Sequence, residues 1–122
     1  MTQILPVDDK LQQQKYCFLL GVPFNLSLMA YAVIKGGEAV GICQFELSSD
    51  VCMIRNIAFD KSVVATIIPF MLFRSILHFA DDCKLKRVEV LDKNIPEDIL
   101  IMSGFSPYDN GYYKLDLQNF IS

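Results

Sequence analysis

One histidine, four cysteines, five tyrosines and fourteen carboxylates are the side chains best suited to move a proton or attack a carbonyl. His78 alone has an ordinary pKa fit for base work near neutral pH. It falls late in the apolar stretch Val63 to Ala80, where a packing role suits it better. Glu46 and Glu89 lie in β-rich segments, so each carboxylate could face a substrate or plain solvent. Tyr108, Tyr112 and Tyr113 flank an Asp-Asn-Gly turn and offer phenols as proton donors, with packing as the competing role. Cys43 and Cys52 sit on neighbouring strand-like segments, but neither has a base beside it in sequence, so both read as core thiols. The four cysteines form no Cys-x-x-Cys pair and the lone histidine completes no ligand set, so neither a disulfide nor a metal site is expected. Asn94 suits the cap of the helix that Pro96 begins.

These residues need elements to hold them. Asp8 to Leu20 carries helical spacing, with Leu11, Lys15 and Phe18 on one stripe, and Gly21-Val22-Pro23 ends it. Leu28 to Ile34 and Ala39 to Leu47 read as strands joined through Gly36-Gly37, and Ser48-Ser49-Asp50 turns the chain into a third, Val51 to Phe59. The first half is therefore an antiparallel meander. From Val63 to Ala80 the positions Ile68, Leu72, Ile76 and Phe79 recur at helical spacing. Pro69 fits only a first turn, so that helix begins near Thr66 to Ile68 with Thr66 as its cap. Arg87 to Leu91 is a short strand, and strand, helix, strand implies a right-handed parallel crossover. A short helix from Pro96 ends at Gly104, and Phe105 to Tyr108 pairs with Tyr112 to Leu117 as a closing hairpin.

Length and composition narrow the classes. A chain of 122 residues fits one domain, and no linker or repeat divides it. With 52% apolar and 20% charged residues, a large core is available, and the apolar excess leaves room for a homodimer. A formal charge of -3 without a basic block argues against nucleic acid. The stretch Val63 to Ala80 carries Thr66, Pro69, Arg74, Ser75 and His78, which suits a core helix rather than a membrane span. No basic and hydrophobic leader opens the chain, so a cytoplasmic protein is expected.

Three antiparallel strands, a long helix, a strand, a short helix ending in Gly104-Phe105 and a last hairpin form an order that resembles the GNAT N-acetyltransferase family. Ile54-Arg55-Asn56-Ile57-Ala58-Phe59 is similar to that family's fourth strand, and Val88-x-Val90 followed by Asn94 to its fifth. The likeness spans about Tyr31 to Leu117, with an N-terminal part short enough that one family helix or the first strand could be missing. It implies an α/β (α+β) fold with a central mixed, mostly antiparallel sheet flanked by helices. It also implies acetyl-CoA between splayed strands four and five, held by the backbone of Ile57, Ala58 and Phe59, by Ala65 and Thr66 in the next loop, and by Asn94.

The resemblance departs from the family at three places. The phosphate-cradling pattern Arg/Gln-x-x-Gly-x-Gly/Ala falls on Val64, Ile67 and Pro69, and no glycine occurs between Gly41 and Gly104. A loop this apolar is expected to pack rather than stay open. The family's base positions hold Met53 and Arg55, and its acid position holds Leu100. The remaining catalytic candidates are Tyr108, Tyr112 and Glu46. Two functions follow: transfer of acetyl from acetyl-CoA to a small-molecule amine through a degenerate loop, or a non-catalytic ligand-sensing or dimeric interaction module.

Overall fold

The computed structural model describes residues 1–119. Among the described residues seven strands form one sheet in the order β1-β2-β3-β4-β5-β7-β6. They are β1 (Thr2–Pro6), β2 (Met29–Lys35), β3 (Glu38–Ser48), β4 (Val51–Phe59), β5 (Arg87–Val90), β6 (Ser106–Pro107) and β7 (Tyr113–Asp116). Helix α1 (Lys10–Leu20) follows β1, α2 (Ile68–Asp82) connects β4 to β5, and α3 (Glu97–Met102) follows β5. Every strand pair is antiparallel except β4 with β5, the expected crossover. The fold is thus the mixed, mostly antiparallel α/β sheet that the sequence implies.

Of the strand and helix in doubt at the N-terminus, the strand is present. β1 pairs with β2 from Thr2 opposite Lys35 to Pro6 opposite Tyr31. It is an edge strand ending in proline, which a sheet tolerates only there, so its sequence carries little β signal. The closing hairpin is shorter than read: β6 keeps two residues, and Asn110 and Gly111 adopt positive φ between it and β7.

α1 forms where expected. The Asp9 side chain accepts from the Leu11 amide at 2.9 Å, and Gly21, at φ 76°, ends the helix in the left-handed region where glycine costs least. Its buried face differs from the sequence stripe, however. Leu11 and Phe18 are 77% and 84% exposed, whereas Gln13 and Cys17 are fully buried. Apolar periodicity misreads the face because the inward positions are an amide and a thiol.

α2 begins at Ile68 with Pro69 in its first turn. Thr66 is not the capping residue itself. It lies one position earlier than Ile67, and its Oγ1 still accepts from the Ile68 amide at 3.2 Å. The positions Leu72, Phe73, Ile76, Leu77 and Ala80 form one stripe, at most 2% exposed, against β3, β4 and β5. Phe45 and Phe79 meet edge-on at 5.5 Å, as do Phe73 and Phe105 at 5.4 Å. On the opposite face α1 lies over Ala30, Ala32 and Ile42, small enough on β2 to let the helix approach.

Two irregularities shape the site. Between β3 and β4 the register shifts, with Gln44 opposite Asn56 but Phe45 opposite Ile54, so Arg55 is an extra, bulged residue. Beside it, β4 and β5 pair only from Val51 with Arg87 to Ile54 with Val90, followed by one bond from the Leu91 amide to the Ile54 carbonyl at 2.9 Å. Past that bond the two strands part.

Candidate functional site

The parting leaves a cleft of 400 Å³. Ile57, Ala58 and Phe59 form one wall, and Asp92, Asn94 and Pro96 stand across from them. The end of α1 closes a third side with Leu20, Gly21 and Val22. Backbone groups alternate in direction along a strand. The Ile57 amide points away from β3, so the Ile57 carbonyl and the Phe59 amide share that outward edge.

The Ile57 amide is not bare. Asp92 Oδ2 accepts from it at 3.1 Å, and Asp92 Oδ1 accepts from the Asn94 amide at 2.8 Å. Asp92 is the one ionisable residue lining this cleft among the described residues. Sequence reading passed over it; the available signal was an Asp two residues before Asn94, the spacing of a turn in which Asp binds a backbone amide.

The loop from Asp60 to Ile67 leads from the cleft to α2. Val63 is fully buried, and its amide bonds the Asp60 carbonyl at 3.1 Å. The Ser62 hydroxyl, and after it the Ser62 amide, holds the Asp60 carboxyl below the usual carboxylate range. The remaining side chains do not pack as expected: Val64 is 39% and Ile67 68% exposed. Val63, Ile68 and Pro69 anchor the segment, and the turn between them is left in solvent. The amides of Val64, Ala65 and Ile67 reach no acceptor among the described residues. Val64 lines the cleft, whereas Ala65 and Thr66 sit on the exposed turn beside it.

Of the expected cofactor residues, the fold brings Ile57, Ala58, Phe59 and Asn94 together on the cleft. Asn94 is exposed and is not the cap of α3; Pro96 holds that position. The three catalytic candidates lie outside the cleft lining. Glu46 pairs with Arg55 at 2.7 Å, opposite Met53 and on the zipped side of the bulge. Tyr108 lies under both Arg87, at 5.7 Å, and Lys114, at 5.4 Å. Tyr112 lies under Lys93 at 5.0 Å. Tyr113 donates to Glu97 at 2.7 Å, and that bond pushes its phenol up. Glu89 pairs with Arg87 at 3.3 Å.

The Cys43 and Cys52 thiols are core groups. Burial pushes Cys43 well up and Cys52 to about 12, so neither supplies a thiolate. Leu100, at the family's acid position, is 2% exposed and belongs to the core. Among the described residues no group of three or more His, Cys, Asp or Glu could hold a metal ion. No described helix is long and apolar enough to cross a membrane.

A buried amide network fixes the α1 side of the cleft. Gln44, fully buried, accepts from Gln13 Nε2 at 2.8 Å and donates to Asn56 Oδ1 and the Pro23 carbonyl, both at 2.7 Å. It ties β3, β4, α1 and the segment after α1 into one unit, and that segment carries Val22 on the cleft wall.

No protein-family model matches this sequence, and no curated protein is similar to it. Solved structures do match. An IAA acetyltransferase from Bacillus cereus aligns at 15% identity over 95% of this chain and 99% of its own, with a TM-score of 0.78. The ribosomal-protein-S18-alanine N-acetyltransferase from Escherichia coli aligns over the whole of both chains at 10% identity and TM-score 0.76. A GNAT family acetyltransferase from Elizabethkingia anophelis, with acetyl-CoA bound, aligns at 14% identity over 94% of this chain and 97% of its own, with a TM-score of 0.68. The chain therefore has the GNAT acyltransferase fold.

Proposed function

We propose that this protein is an acyl-CoA-dependent N-acyltransferase that takes acetyl from acetyl-CoA in the β4–β5 cleft and passes it to a small-molecule amine. The observation that carries this reading is the parting of the two strands beyond Ile54 and Val90, which turns β4 backbone toward a 400 Å³ cleft. A pantetheine arm carries amide donors and carbonyls and can add to such an edge as an extra strand does. The Ile57 carbonyl and Phe59 amide suit that pairing, and Val22, Phe59 and Ile99 give the arm apolar walls. The uncommitted amides of Val64, Ala65 and Ile67, with Lys61 beside them, replace a glycine-rich cradle for the diphosphate. The acetyl-CoA bound to the Elizabethkingia anophelis neighbour agrees with this assignment.

The chemistry asks little of side chains. The neutral amine attacks the thioester carbonyl; the C–N bond forms, the C–S bond breaks, the amine's extra proton passes to water and the thiolate takes one from water. Met53, Arg55 and Leu100 cannot serve as base or acid near neutral pH, so positioning provides most of the acceleration. A ligand-sensing module is the second reading, favoured by the burial of Leu100 in the core and by the absence of the three catalytic candidates from the cleft lining.

Isothermal titration with acetyl-CoA, desulfo-CoA and a truncated acetyl-pantetheine tests the proposal. Micromolar binding of acetyl-CoA, weakened by loss of the nucleotide, is expected, followed by CoA release with an amine panel. Binding without turnover favours the sensing module, and no heat with any ligand contradicts both readings of the cleft.

A further inference from the structure

Asp92 occupies a backbone amide on the β4 wall of the cleft. Its two carboxylate oxygens take one amide each, Ile57 at 3.1 Å on the β4 wall and Asn94 at 2.8 Å on the wall across. The side chain thereby spans the gap at the point where β4 and β5 separate, just past the bond from Leu91 to Ile54. A carboxylate outcompetes a neutral carbonyl for the same N–H, because charge-assisted hydrogen bonds are the stronger ones. The thioester carbonyl of an acylated ligand reaches the Ile57 amide only after Asp92 has left it.

We infer that Asp92 is the residue that sets the cleft's ligand selectivity, holding the Ile57 amide against a thioester carbonyl while leaving the rest of the cleft open to a ligand without a thioester. This inference rests on the acyl-CoA reading above. Asp92 acts by position, since no transfer step uses it as acid or base. A ligand that lacks the acyl group, such as desulfo-CoA, settles on the Phe59 edge and the exposed loop amides without disturbing it. An acetylated ligand loses affinity equal to the cost of swinging the carboxylate out. Removing the side chain leaves the Ile57 and Asn94 amides beside an open cleft, where water satisfies them, so the fold tolerates the change.

The comparison of acetyl-CoA with desulfo-CoA on the wild-type protein, Asp92→Ala and Asp92→Asn decides the matter, with thermal melts confirming that each variant is folded. The two ligands share the nucleotide charges, so simple repulsion by the carboxylate affects both alike. Asp92→Ala is expected to tighten acetyl-CoA about tenfold while desulfo-CoA stays within about twofold, and Asp92→Asn, keeping an uncharged acceptor, to fall between. Equal changes for both ligands, or unchanged or weaker acetyl-CoA binding, overturn the role of Asp92 and leave the acyl-CoA reading standing. Absence of binding by either ligand to all three proteins overturns that reading itself, and this inference with it.

Discussion

The two faces of the sheet are held by different physics. On the α2 face the contacts are apolar: Phe45, Ile54 and Val88 meet Leu72, Phe73 and Ile76, all fully buried. Such packing is strong but tolerant of sliding, because dispersion and area burial have little direction. On the α1 face the sheet offers Ala30, Ala32 and Ile42, and the most specific contacts are the hydrogen bonds of Gln13, Gln44 and Asn56. A buried amide network fixes one alignment, since misplacing it strands unpaired polar groups. The face with the weaker apolar grip is the one that carries Leu20, Gly21 and Val22 onto the cleft wall. Stability is concentrated on one side and positional accuracy on the other.

Four substitutions and one chemical probe test that division. Phe73→Ala should have the largest effect, destabilising by about 3–5 kcal/mol, read as a lower midpoint in urea. Gln44→Ala should cost about 1–3 kcal/mol by leaving its buried partners unpaired. Pairing it with Gln13→Ala should give a coupling of about 0.5–3 kcal/mol in a double-mutant cycle. Additivity of those two would show that the network does not act as a unit. Gly41→Ala should cost about 1–2 kcal/mol because a new Cβ would stand 3.0 Å from the Phe59 ring, and it should alter cleft binding through Phe59 as well.

The smallest effect is chemical. Cys83 is exposed, while Cys43 and Cys52 are buried. A thiol reagent at about pH 8 should label Cys83 rapidly and the other two only after unfolding. Because burial raises the folded Cys52 value to about 12, the stability this adds is full below the free-thiol range and declines as pH rises toward 12. Rapid labelling of Cys52 in the native protein would show that the α2 face opens readily.

The sequence carried the fold wherever one face was plainly apolar. The α2 stripe, the Gly36-Gly37 hairpin and the crossover from β4 to β5 all follow from periodicity and turn chemistry. The face of α1 did not, because its inward residues are Gln13 and Cys17, and a polar residue buried by a distant partner looks like a surface residue in sequence. β1 was hidden for a related reason, since its partner β2 lies across a whole helix. In the site, Ile57, Ala58, Phe59 and Asn94 were expected from the resemblance alone, and the fold brings all four onto one cleft. Asp92 was not, because its role comes from an amide 35 residues away in the chain. The open loop was misread because Val63, Ile68 and Pro69 bury the anchors that its neighbours were assumed to need.

An acyl-CoA pantetheine arm is proposed to lie along β4 in the cleft. Amide chemical shifts of the ¹⁵N-labelled protein, followed through a titration with acetyl-CoA, test it most directly. The largest shifts should fall on Ile57, Phe59, Val64, Ala65, Ile67 and Asn94, with the α2 face nearly unmoved. Saturable shifts confined to other surfaces, or none at all, would contradict it.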